Sequence, residues 1–173
     1  MANPNKTKGT QWESDIRDFL NRELGLLSVH GTFADVWSPL NIRRPAQEGA
    51  ADVGDIHAVP FILEAKNTKS SAVPTFLRQA RVEARNAGFP FGVVVCKVPR
   101  QATRRGKVHF AVATWTSVRR LLGMTSRDFA DAYGFATSTR GLDTAKWYFT
   151  HDLGDFARLL DAVRVSHGER SIA

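Results

Sequence analysis

Asp55-Ile-His-Ala-Val-Pro-Phe-Ile-Leu-Glu-Ala-Lys66 reads as two short strands joined at Val59-Pro60. With the turn at that pair, Ala58 faces Phe61, His57 faces Ile62, and Asp55 falls opposite Glu64. Side chains alternate along a strand, so Glu64 and Lys66 share one face while Leu63 and Ala65 share the other. Directly opposed residues have Cβ atoms roughly 4.5–5.5 Å apart, close enough for two carboxylates to share a hard cation. The competing reading is a solvated ion pair at a sheet edge. Gly54 and the apolar run Phe61-Ile62-Leu63 weigh against it. They place both acids on interior strands, where a carboxylate is costly unless a cation compensates it.

Before this hairpin, Lys8-Gly-Thr-Gln-Trp-Glu13 opens a helical pattern with Trp12, Ile16, Phe19, Leu20 and Leu24 on one side. Thr10 and Glu13 have the spacing of a capping box, and Gly25 follows the last apolar position. Glu13 therefore has two open roles, helix cap and site acid. Residues 1–8 lack periodicity and read as a flexible tail, from which Lys8 can reach a phosphate backbone. Phe33 to Trp37 reads as a first strand, followed by a loop carrying Arg43 and Arg44, then strands at Val53–Ala58 and Phe61–Lys66.

Pro74 starts a helix to Ala87, closed by Gly88 and Pro90. Leu77, Ala80, Ala84 and Ala87 line its apolar side, and Arg78, Arg81 and Arg85 form a basic stripe. Phe91 to Lys97 reads as a buried parallel strand. A basic loop with Arg100, Arg104 and Arg105 precedes a strand from Val108 to Trp115 and a short helix ending at Gly123. Beyond it come a helix Thr125–Tyr133 with Asp128 at the capping position, a strand near Trp147–Thr150, and a final helix bearing Phe156, Leu159, Leu160 and Val163. No chemistry is visible in that last third.

The segments KGTQWE, GDI and LEAK, in this order and with the Arg-Gln-Ala helix and the FGVVVCK strand behind them, resemble the motifs of the PD-(D/E)xK nuclease superfamily. They most closely resemble archaeal-type Holliday junction resolvases and their relatives in phages of actinobacteria. The likeness runs from about Lys8 to Lys97. It implies an α/β fold with a restriction-endonuclease-like αβββαβ core, a central mixed sheet flanked by helices, over residues 9–123, with 124–173 as a C-terminal α/β extension packed on it. On the resemblance Glu13, Asp55, Glu64 and Lys66 are the catalytic residues. Asp55, Glu64, the Ala65 carbonyl and, through water, Glu13 would hold Mg²⁺, for which Mn²⁺ could substitute. Gln79 falls where relatives carry a polar residue near the site. The implied substrate is a four-way junction or other branched DNA, and two symmetric cuts imply a homodimer. Two alternatives stay open: another PD-(D/E)xK restriction or repair nuclease, and a non-catalytic basic DNA-binding module.

Composition agrees with a nucleic-acid partner. The 173 residues suit one α/β core, and the formal net charge is +7. Arginine dominates the basic residues, which favours bidentate phosphate contacts. Lys8, Arg43, Arg44, Arg78, Arg81, Arg85, Arg100, Arg104 and Arg105 are the expected DNA contacts, each with solvated surface charge as the bland alternative. The one cysteine, Cys96, excludes a disulfide within the chain and a cysteine-based zinc site. His57 shares the face of Asp55 but lacks a second nitrogen ligand. No phosphate-cradling glycine loop and no serine nucleophile elbow is present. Without a membrane-length apolar run or a signal-like start, the expectation is a cytoplasmic protein away from membranes.

Overall fold

The structure, a computed structural model, describes residues 4–45, 52–67, 72–139 and 141–171. Its elements in chain order are α1 (Pro4–Glu23), β1 (Ile56–Ala58), β2 (Phe61–Lys66), α2 (Val73–Asn86), β3 (Phe91–Cys96), β4 (Lys107–Ala111), α3 (Val112–Leu121), α4 (Ser126–Tyr133), β5 (Ala136–Ser138), β6 (Tyr148–Asp152) and α5 (Leu153–Ser171). Among the described residues six strands form one mixed sheet in the order β1-β2-β3-β4-β6-β5. Only β2 and β3 run parallel, because α2 crosses over between them. The other neighbours are antiparallel. This is an α/β protein with helices on both faces of the sheet.

Odd-numbered positions of β2 and β3 supply Phe61, Leu63, Val93 and Val95 to the larger core, where α1, α3, α4 and α5 pack. The opposite face is covered by α2, through Val73, Leu77 and Ala80 against Val94 and Tyr148. Gly92 is the point of closest approach. A Cβ there would lie 2.2 Å from the Ala80 carbonyl oxygen, so only glycine lets α2 sit this close to β3.

Several elements differ from their sequence-based expectation. The first helix begins at Pro4, so residues 4–8 are helical rather than a tail. Thr10 is then inside the helix and cannot cap it; its carbonyl instead accepts from Ser14 Oγ at 3.1 Å. The expected strand Phe33–Trp37 does not form, and the core has αββαβ order. Asp35 turns the chain, its Oδ1 accepting from the Trp37 amide at 2.9 Å and its carbonyl from Asn41 Nδ2 at 2.7 Å. What remains is a single bridge between Leu27 and Phe33, and another between Arg43 and His57 on the outer edge of β1. The strand expected over Val108–Trp115 stops at Ala111. Trp115 reaches the core from α3 instead, stacked on Phe149 with ring centroids 4.0 Å apart.

The sheet and the larger core both continue across Gly123. Strand β6 lies between β4 and β5, and Leu153, Phe156, Leu159, Leu160 and Val163 of α5 belong to the same cluster as Phe61 and Val95. The Thr125 cap with Asp128 is present, the Asp128 amide donating to Thr125 Oγ1 at 3.2 Å. Among the described residues no helix is long and apolar enough to cross a membrane.

Candidate active site

The β1–β2 hairpin has the register read from its sequence: Ala58 opposite Phe61, His57 opposite Ile62 and Ile56 opposite Leu63. Asp55 sits one residue before β1, at the position that continues this register to Glu64. Gly54 sets up the approach, with φ +83° and no room for a side chain, since a Cβ would lie 2.3 Å from Ile62 Cγ2. Asp55 Oδ2 accepts from the Ala65 amide at 2.8 Å. This bond fixes the carboxylate beside the end of β2, where the parallel pair β2 and β3 opens outward.

Glu64 and Lys66 point to the α2 side of the sheet and form an ion pair. Gln79 Nε2 of α2 donates to Glu64 Oε1 at 3.1 Å, which brings that glutamine into the cluster. Glu13 joins from α1, paired with Arg44 rather than with its own helix terminus. His57 is turned away, its Nε2 on the Val53 carbonyl at 2.9 Å, and is no part of the carboxylate cluster.

One member of the site was not anticipated from sequence. Glu83 of α2 is 1% exposed, and neither of its carboxylate oxygens has a hydrogen-bond partner among the described residues. Glu64 and Gln79 are close enough to favour its anion, yet they fall short of hydrogen-bond geometry, so burial dominates and raises its pKa, with Asp52 and Asp55 adding to the effect. The signal was available in the helical period. Position 83 falls three residues after Ala80 and one before Ala84, on the face that packs against the sheet.

The electrostatics of the cluster follow from this crowding. Burial, then the charge of Asp55, lifts the Glu64 carboxyl to about 9, against the opposing pull of Lys66. Glu13 is raised by burial and by Asp55, while Arg44 works the other way. For Lys66 burial disfavours the ammonium, but Glu64 outweighs it with help from Asp55 and Glu83, and the lysine stays charged. Four carboxyls thus face two cations in a half-buried space. Among the described residues no group of three or more His, Cys, Asp or Glu side chains is already arranged around a metal position.

The expected DNA contacts divide by location. Arg43 and Arg44 border the hairpin, with the Arg43 guanidinium over the Phe33 ring at 5.3 Å. Lys8 lies near the end of β2, its carbonyl accepting from Asn67 Nδ2 at 3.1 Å. Arg78, Arg81 and Arg85 are exposed, but Arg81 and Arg85 line a separate 360 Å³ groove with Ala111, Thr114 and Ser117. Arg100 and Arg104 are exposed on the loop after β3. Arg105 is engaged with Asp152 at 2.7 Å, beside Lys107. Lys97, not singled out from sequence, pairs with Asp15 at 3.7 Å and lies over Trp12 at 5.3 Å.

A second long-range contact braces the hairpin. Arg164 of α5 donates from Nε to the Val59 carbonyl at 2.8 Å and from Nη2 to the Leu40 carbonyl at 2.9 Å. It ties the hairpin turn and the Asp35–Asn41 turn to the last helix. No family model, no curated protein and no solved structure shows a significant match to the chain.

Proposed function

We propose that this chain is a metal-dependent DNA endonuclease of the Holliday junction resolvase type, cutting phosphodiester bonds in branched DNA. The observation that carries this reading is the convergence of Asp55, Glu64 and Lys66 at one end of the β1–β2 hairpin, with Glu13 delivered from α1. The donor set suits a small hard cation. Mg²⁺ takes oxygen ligands and commonly uses only one or two carboxylates, with water completing its shell. Asp55, Glu64 and the Ala65 carbonyl would hold it, with Glu13 acting through water. The surplus of carboxyls, Glu83 among them, gives a positive ion a reason to enter. When bound, the cation would neutralise phosphate charge and acidify a water.

The chain's own groups supply the rest. The charged Lys66 ammonium would face the scissile phosphate or its attacking water and stabilise negative charge as it develops. Gln79 keeps Glu64 oriented, and the Ala65 amide keeps Asp55 oriented, so both carboxylates are placed before substrate arrives. Arg44 holds Glu13. Net positive charge elsewhere draws the DNA in.

The test is a cleavage panel on a four-way junction, a linear duplex and a single strand, each with and without Mg²⁺. Junction-selective cleavage that needs Mg²⁺ and disappears in Asp55→Asn supports the proposal. Cleavage of linear duplex alone moves the chain to a restriction or repair nuclease. Binding without cleavage in any condition leaves a basic DNA-binding module.

A further inference from the structure

Beside the hairpin, on the outer edge of β1, lies a pocket of 470 Å³ that the catalytic reading does not use. Its walls include Trp37, His57 and Phe89, together with Arg43 and Arg44. The volume falls within the ~300–1,000 Å³ typical of small-ligand clefts. His57 and Phe89 form one wall, with ring centroids 5.1 Å apart. Trp37 is 91% exposed, so its indole contributes nothing to the core. The turn that presents it is nonetheless fixed: Asp35 accepts from the Trp37 amide, Asn41 holds the Asp35 carbonyl, and Arg43 donates to the Val36 carbonyl. A rigid turn holding a large aromatic ring in water implies a partner with an apolar flat face.

The surrounding charge says which partner. Arg43 and Arg44 line this pocket and also a neighbouring 920 Å³ groove that carries Arg17, Arg22 and Phe33. Arg44 is in addition the ion-pair partner of Glu13, so the pocket adjoins the catalytic cluster through a shared residue. Aromatic faces alternating with guanidinium groups suit nucleobases strung on phosphates, because every base offers a π-face whatever its identity.

We propose that this pocket receives an unpaired nucleotide of the DNA substrate, its base stacked on Trp37 against the His57–Phe89 wall and its phosphate met by Arg43. The inference rests on the nuclease reading for its setting, and it narrows the substrate to DNA with an unstacked or single-stranded nucleotide beside the cut. A fully paired linear duplex would leave the pocket empty.

The experiment measures binding in EDTA, so that no cleavage enters. Fluorescence anisotropy with a labelled oligothymidylate, a blunt duplex and a four-way junction compares the wild type with Trp37→Ala and Trp37→Phe. Because Trp37 is exposed, both variants should keep the wild-type circular dichroism. Loss of one stacked base should weaken oligothymidylate binding about five- to 150-fold in Trp37→Ala. Trp37→Phe should retain most of the affinity, and duplex binding should not change. Equal losses on single strand and duplex, or no loss on either, overturn the pocket. So does a Trp37→Ala variant that changes sedimentation but not DNA affinity, which would make the exposed Val29, Val36, Trp37 and Leu40 a contact between copies of the chain. The nuclease reading fails separately, through absence of Mg²⁺-dependent cleavage in the wild type.

Discussion

Glu64 is a buried acid held by Lys66 and Gln79 and crowded by the charges of Asp55 and Glu83. On the proposed reading, Asp55→Asn, Glu64→Gln and Lys66→Ala are each expected to lower single-turnover cleavage by at least about a hundredfold while leaving junction affinity within a few fold, since each would remove a group acting on cation, water or phosphate. Mg²⁺-dependent cleavage surviving in the Asp55→Asn, Glu64→Gln double variant would falsify the metal assignment. Glu13 separates two roles more sharply than its sequence allowed. Because Glu13 lies inside α1, Glu13→Gln breaks no cap and costs at most about 1 kcal/mol for its partly exposed pair with Arg44. Thermal unfolding should therefore barely move while turnover falls; an unchanged turnover removes Glu13 from the site. The hairpin acids and Lys66 were legible because a strand has a period of two and a tight turn fixes the register. Glu83 lay on the apolar face between Ala80 and Ala84, yet its charge made it read as solvent-facing until the packing of α2 on β3 showed it buried. Arg105 likewise looked free until Asp152 was brought beside it by the pairing of β4 with β6.

Elements bounded by local turn signals matched their reading best, whereas the start of α1 and the extents of the strands around Phe33–Trp37 and Val108–Trp115 did not. Strand β2 and helix α2 are bounded by turn chemistry and by Pro74, Gly88 and Pro90, signals local to the sequence. The missing strand at Phe33–Trp37 and the short β4 depend on which neighbours are available: among the described residues no strand lies outside β1 to pair with the former, and Trp115 gains Phe149 by continuing as a helix. The antiparallel β4–β6 pair also carries titratable groups, His109 lying two strands from Glu64 across Val94. His109, bonded through Nδ1 to Thr150 Oγ1, and His151, stacked on Phe135, both have pKa values lowered from 6.5 to about 4 by burial. Lys107 lowers His109 further, whereas the Tyr133 carbonyl, Asp155 and Asp152 oppose the shift at His151. Their folded-state pKa values lie below the unfolded ones, so the stability they contribute is present above about 6.5 and lost as pH falls through about 4. The melting temperature is expected to fall over that window, before the paired Asp152 titrates. His151→Phe should flatten the decline; an equally steep decline in that variant assigns the acid limb to carboxylates.

At the scale of the whole molecule, the last third of the chain completes the sheet and the larger core. Strand β6 supplies the partner of β4, and α5 closes the core over Phe61 and Phe110. The single set of Asp55, Glu64 and Lys66 per chain means that two symmetric cuts in one junction need two copies. Sedimentation at micromolar concentration, with and without junction DNA, should show a dimer at least on the DNA. A species that stays monomeric in both and nicks only one strand points to the broader superfamily instead.

The Arg164 brace has a consequence for how the protein is made. Val59 and Arg164 are 105 residues apart in the chain, so a ribosome releases the hairpin long before the residue that secures its turn. During that interval Asp55 and Glu64 belong to a hairpin with no last helix behind it, and cutting should be silent while most of the polypeptide is already outside the exit tunnel. On the proposed nuclease reading, a cell translating this message would thereby be spared a half-built nuclease on its own chromosome. Chains stalled with residue 150 just emerged should be inert toward junction DNA, whereas chains released at full length should cut it. Activity in the stalled chains would show that the hairpin is competent without its brace.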